Sequence, residues 1–159
     1  MGSRAMVFVS SVESKNISEV MHMVKNGANV NANYLGVFPL NLAIELGDCD
    51  MAAVLLTAGA DPLLQPNGKR AKNAVMMCEA MLEDKKCKFR TEAAIVLELI
   101  NDPEKLKERF EDLQERRRLQ AAKDWQRVVN ATKMFFFFIL LAVIYYLVRT
   151  YVLPKGTLA

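Results

Sequence analysis

The chain is poor in the side chains that catalysis usually needs. It holds one histidine, His22, among 159 residues. A single histidine inside a short apolar helical pattern supports no Ser–His or Cys–His pairing, and it reads as a residue packed against its neighbours. Three cysteines, Cys49, Cys78 and Cys87, are odd in number and lack metal-ligand spacing. They argue against a disulfide framework and fit thiols kept reduced in cytosol or matrix. No glycine-rich phosphate loop is present, and Pro66-Asn67-Gly68 reads as a turn. Asp48-Cys49-Asp50 offers too few ligands for a metal and reads instead as the polar cap of a helix. The expectation is a non-enzyme with no catalytic residues, no cofactor and no metal. The start of the chain has one basic residue, Arg4, and a brief apolar patch from Met6 to Val9, which is no secretory signal. Gly2 invites myristoylation, but Met6 stands where that motif wants Ser or Thr.

Charge is the next deficit. From Met134 to Val148 fifteen positions pass without one charged residue, four of them consecutive phenylalanines, Phe135 to Phe138. Extended through Arg149, Thr150, Tyr151, Val152 and Leu153, the segment reaches the roughly 20 residues of a membrane span. Arg149 can send its guanidinium back to headgroups, and Thr150 can bond its hydroxyl to a helix carbonyl. Tyr145, Tyr146 and Tyr151 suit an interfacial belt, and Pro154 stops the helix. The other readings are a buried core helix or one lying in the interface. Little sequence follows to wrap the run, which disfavours the first, and it has no polar face, which disfavours the second. The expectation is a C-terminal transmembrane helix over 134–153 with a short tail, 154–159. Its modest length favours a thinner bilayer.

The stretch before the run carries Arg116, Arg117, Arg118, Lys123, Arg127 and Lys133 against Asp124 alone. Basic residues stay on the side of synthesis, so the N-terminal mass is expected in the cytosol, or in the matrix of an importing organelle. Residues 1–103 hold ten basic and twelve acidic side chains, residues 104–159 eleven and six. The excess therefore sits beside the membrane, where anionic lipid or an acidic partner is the matching counterpart. No aromatic residues interleave the arginine cluster, so no nucleic-acid partner is expected.

The rest of the chain repeats itself. Gly27-Ala28-Asn29 recurs 32 residues later as Gly59-Ala60-Asp61. Each copy follows a short apolar helix, Ile17, Val20, Met21 and Val24 in one, Met51, Val54, Leu55 and Leu56 in the other. Between them runs Gly36-Val37-Phe38-Pro39-Leu40-Asn41-Leu42-Ala43, then Gly47-Asp48. Glycine suits the left-handed residue closing a helix at 27, 47 and 59. Pro39 suits a first helical turn, and Leu40, Leu42, Ala43 and Leu46 supply packed positions. These residues resemble the ankyrin repeat, Gly-x-Thr-Pro-Leu-His-x-Ala, helix, Gly, helix, Gly-Ala-Asp. Phe38 stands for the Thr and Asn41 for the His, so the resemblance implies a looser turn that Asn41 partly braces. Met6 to Ser14 is expected as a reduced capping helix. A diverged third unit follows Gly68-Lys69-Arg70, with helices marked by Ala74, Val75, Met77, Cys78 and Met81 and by Ala93, Ile95, Val96, Leu97 and Leu99.

From Asp102, an N-cap, and Pro103, the first helical residue, no Gly or Pro appears until Pro154. One helix of roughly 75 Å is expected, at 1.5 Å per residue. Leu106, Phe110 and Leu113 form a stripe that breaks at Arg117 and resumes with Ala121, Trp125 and Val128. Pairs such as Glu104 with Lys107 and Asp112 with Arg116 are expected along it.

The predicted fold class is all-α. A short ankyrin-like stack fills 1–101, a charged amphipathic stalk helix 102–133, and the span 134–153. The resemblance implies protein recognition through hairpin tips and inner helices. Here those are Asn31, Asn33, Tyr34, Leu35 and Val37, then Leu63, Leu64, Gln65, Asn67, Lys69 and Arg70, with Asn41 and Glu45 on the inner helix. Leu35, Leu63 and Leu64 are apolar where tips are usually polar, and either close onto their own repeat or meet a permanent partner. The expected role is an accessory subunit of a large membrane complex, with other subunits as partners. A mitochondrial membrane is favoured and the endoplasmic reticulum is the other candidate. The alternative is a free tail-anchored adaptor on the outer mitochondrial membrane or endoplasmic reticulum. A third class is a tether using Arg116 to Arg118 on anionic lipid.

Overall fold

A computed structural model describes residues 2–66 and 72–152, with side chains for 4–66 and 72–150. Among them the protein is all-helical, with no strand beyond one isolated bridge. The α-helices are α1 (Gly2–Glu13), α2 (Ile17–Lys25), α3 (Pro39–Glu45), α4 (Cys49–Thr57), α5 (Ala74–Glu83), α6 (Arg90–Asn101) and α7 (Pro103–Leu147). A π-helical turn, Val148–Val152, continues α7. The chain divides into a unit ending at Gln114 and a second unit, 115–159.

The first unit is built of three helix pairs. α1 packs on α2, α3 on α4 and α5 on α6. The odd helices also touch in sequence, α1 to α3 to α5, and the even ones likewise, α2 to α4 to α6. Two rows of helices therefore enclose one core, which includes Phe8, Val12, Val20, Ile44, Met51, Leu55, Cys78 and Val96. Sequence periodicity explains most of this. Leu40, Ala43 and Ile44 are all buried on α3, the i, i+3, i+4 spacing of one helix face. Leu42 and Leu46, expected as packed positions, are only half-buried, and Ile44 takes their place. On α6 the buried line is Ala93, Val96 and Leu99, while Ile95 turns outward. The helix at the start of the chain is fuller than expected, running from Gly2 and burying Phe8, Val9 and Val12.

Side-chain caps start several of these helices, those at Asp48 and Asp102 as expected. Asp48 Oδ1 accepts from the Met51 amide (2.9 Å) and starts α4. Asn73 does the same for Met76 (2.9 Å) on α5. Asp102 accepts from Glu104 and Lys105 (3.0 and 3.2 Å), with Pro103 at the first helical position of α7. Phe38, standing before Pro39, contributes no side-chain cap. Gly47 closes α3 at φ +63°, and a Cβ there would lie 2.3 Å from the Phe89 ring. Backbone conformation and close packing both demand glycine at that position.

The first turns of α7 belong to the compact unit. Leu113 is buried in the core and Phe110 packs partly against it. Arg109 sends Nε and an Nη to Asp50 Oδ1 on α4 (3.1 and 2.7 Å). Nearby Lys105 pairs with Glu98 of α6. Lys107 reaches Glu111 at 4.0 Å, one turn onward, rather than the expected Glu104.

The second unit carries no buried side chain among its described residues. Leu119, Trp125 and Val128 are exposed, as are Met134 to Leu141 and Val143 to Val148. One helix here is long and apolar enough to cross a membrane. The Thr150 hydroxyl donates to the Tyr146 carbonyl (2.8 Å). The helix was expected to remain α-helical to Leu153; it instead widens to π geometry from Val148 to Val152. Leu153 and the tail lie outside the described residues.

Candidate functional site

Asn33, Tyr34, Leu35 and Val37 come together at one tight turn between α2 and α3, and Asn31 lies just before it. Tyr34 and Val37 exchange both backbone hydrogen bonds, at 3.1 and 3.0 Å. The two residues between them, Leu35 and Gly36, hold φ of +52° and +84°, the pattern of a type I′ hairpin turn. Asn33 Oδ1 accepts from the Gly36 amide at 2.7 Å. Gly36 suits its place. Leu35 does not: the left-handed conformation costs a leucine about 1–2 kcal/mol, and this one is 85% exposed. An apolar side chain is thus held outward at a strained tip, and it does not close onto its own repeat.

Asn31, expected at a partner surface, has an internal task. Its Nδ2 donates to the Gly59 carbonyl (3.2 Å) and its Oδ1 accepts from the Asp61 amide (2.9 Å). It therefore links the two Gly-Ala corners seen in the sequence. Asp61 in turn accepts from the Leu63 amide (2.9 Å), which projects Leu63 at 67% exposure. Leu64 is half-buried, Gln65 is exposed, and Asn67, Lys69 and Arg70 lie outside the described residues.

Asn41 corrects an expectation. It is buried and donates Nδ2–H to the Lys72 carbonyl (3.1 Å), so it is no exposed contact and braces the next segment rather than its own turn. Glu45, on the same helix, does face solvent. His22 corrects another: it is exposed, beside the Asn26 side-chain amide at 3.2–3.3 Å, rather than packed. One face of α2 already buries Val20 and half-buries Ile17, Met21 and Val24, and position 22 falls on the other side.

On α7 the basic residues Arg116, Arg118, Lys123, Arg127 and Lys133 are exposed and Arg117 is half-buried. Arg116, Lys123 and Arg127 recur at i, i+7 and i+11 and so share a face. Arg127 also reaches Asp124 at 3.3 Å.

Among the described residues no three His, Cys, Asp or Glu side chains gather as a metal site. Burial raises the pKa of Cys49 despite opposition from Arg109, and its thiol faces the Glu92 carbonyl at 3.5 Å. Burial likewise pushes Cys78 up to about 11. Both thiols stay protonated at neutral pH and are poor nucleophiles.

Sequence reasoning missed Ile44, the Asn31 link and the Asp50–Arg109 tie. Ile44 was open to detection as the i+4 partner of Leu40. Asn31 and Asp50 pair with groups 28 to 59 residues away, and no local pattern carries that. No protein-family model matches the chain, and comparison with curated proteins and with solved structures returns no match.

Proposed function

We propose that this protein is a single-pass membrane protein that acts by binding other proteins and performs no catalysis. The observation carrying the reading is the long exposed apolar stretch of α7. Fifteen uncharged positions ending at Val148 bury nothing in the protein, and about 20 residues suffice to cross a hydrocarbon core. The proposed span is 134–153.

The first unit is proposed as a short ankyrin-like stack. Support comes from three helix pairs in two rows, Pro39 opening α3, the hairpin turn before it, and Asn31 joining consecutive Gly-Ala corners. Such stacks recognise proteins, and here Asn33, Leu35, Glu45, Leu63 and Gln65 are the proposed contacts. Exposed Leu35 and Leu63 favour a standing partner over passing ones, because apolar tips are poorly kept in water. The role proposed is accordingly an accessory subunit of a large membrane complex, with a mitochondrial membrane favoured and the cytosol or matrix holding the N-terminal side.

The exposed basic residues beside the span favour a second reading, a free adaptor on the outer mitochondrial membrane or endoplasmic reticulum. Native electrophoresis after mild detergent extraction separates the two. Stoichiometric migration in one large species supports the subunit. A small species with variable partners overturns it in favour of the adaptor. Release by alkaline carbonate overturns the membrane placement itself.

A further inference from the structure

Beside α5 an open cavity of about 210 Å³ is lined by Lys72, Met77, Ala80, Met81, Asp84 and Cys87. We propose that this cavity is a site for a soft monovalent metal ion, copper(I), held by the sulfurs of Met77, Met81 and Cys87.

Two local features bring those three residues to one cavity. Met77 and Met81 lie four apart on α5 and so share a face of the helix. Cys87 arrives from the turn that follows. Its amide donates to the Asp84 carbonyl (3.0 Å), and Asp84 Oδ1 accepts from the Lys86 amide (2.9 Å), which folds the loop back toward α5. All three side chains are half-buried, neither sealed in the core nor fully in water.

The donor set selects the ion. Two thioethers and one thiol are soft ligands, which prefer copper(I) and offer little to calcium, magnesium or manganese. Charge favours a monovalent ion too. Binding breaks the Cys87 S–H bond, the proton goes to solvent, and the thiolate bonds the metal. One thiolate neutralises a single positive charge, so the complex sits in a partly apolar cavity without net charge. A divalent ion would leave a charge uncompensated there. Lys72 and Asp84, the two ionic groups in the wall, oppose each other. The C-terminal carbonyls of α5 place the negative end of the helix dipole at this end of the cavity. Methionine has three rotatable bonds, so both thioethers can swing onto an ion without moving the backbone. Cys49 and Cys78 are not competitors, since both are buried in the core.

The test uses the full chain in detergent micelles under reductant, titrated with copper(I) against a chromophoric chelator of known affinity. One ion per chain is expected. Cys87→Ser, Met77→Leu and Met81→Leu should each weaken binding by at least the roughly 10- to 100-fold that losing an outer-shell partner costs elsewhere. Unchanged affinity in Cys87→Ser, or in the double Met77→Leu/Met81→Leu variant, overturns the proposal. Should a variant lose helicity, maleimide labelling of the parent chain decides. Copper(I) is expected to protect Cys87 from the reagent, and equal labelling with and without the ion overturns the site. Neither readout depends on the membrane or partner readings above.

Discussion

Leu55 and Phe137 are both apolar and both in the middle of helices. Leu55 exposes none of its surface and Phe137 exposes 53%. The difference lies in their neighbours along the chain. Around Leu55 the apolar run Met51 to Leu56 is short, opened by the Asp48 cap and followed by Gly59, in helices that turn back and pack in pairs. Around Phe137 every residue for several turns is apolar, with no glycine, proline or cap to fold the helix back. A short apolar helix is covered by its neighbours; a long one that is apolar all round and uncovered fits a different solvent. On the proposed membrane reading the two regions owe their stability to different media, and each is expected to be perturbed without touching the other.

The largest effect is expected at the exposed helix. Leu141→Arg with Ile144→Arg places two cations near the middle of the proposed span, at about 2.5–3.5 kcal/mol each. The protein should move from the membrane pellet into the carbonate supernatant, while the thermal melting of the compact unit stays unchanged. The reverse experiment is Leu55→Ala. Loss of a fully buried leucine should lower stability by about 2–5 kcal/mol, seen as a fall in denaturant midpoint, with membrane pelleting unaffected. If either variant alters both readouts, the independence of the two regions is lost.

A smaller effect sharpens the comparison within the compact unit. Leu35→Asn puts a residue tolerant of left-handed backbone at the hairpin tip and should raise stability by about 1 kcal/mol. The same change should weaken migration in the large complex. A substitution that stabilises the fold yet costs the assembly would identify Leu35 as kept for a partner.

A further effect is set by pH. The raised pKa of Cys78 means that the folded state holds its thiol proton longer than the unfolded chain does. The unfolded state binds fewer protons above its own pKa, so stability is complete below about pH 8.5 and declines toward pH 11. Equilibrium unfolding across that range should show a negative slope, and Cys78→Ala should flatten it.

Much of the helical layout was legible in residue order, because it follows from local chemistry. Asp48, Asn73 and Asp102 each accept from an amide two or three residues on, and Pro39 and Pro103 open helices. What escaped depends on partners distant in the chain. Asn41 was placed among the partner contacts because the ankyrin resemblance puts it on the inner helix, yet a carbonyl 31 residues away accepts from its amide. Leu113 belonged to a stripe whose continuation, Trp125 and Val128, is exposed. Periodicity alone does not say where along one helix packing ends. The tip was legible as a tip, but the strain at Leu35 was not, since sequence position carries no dihedral angle.

Asn31 and Asn41 have a consequence for motion. Each is rooted in one helix pair or its leading loop and spends its amide on backbone of the segment that follows. Opening one pair strips hydrogen bonds from the next, so fraying at either end is transmitted inward instead of stopping at a boundary. Solvent exchange at the Asp61 amide is thereby expected to follow opening of the loop around Asn31.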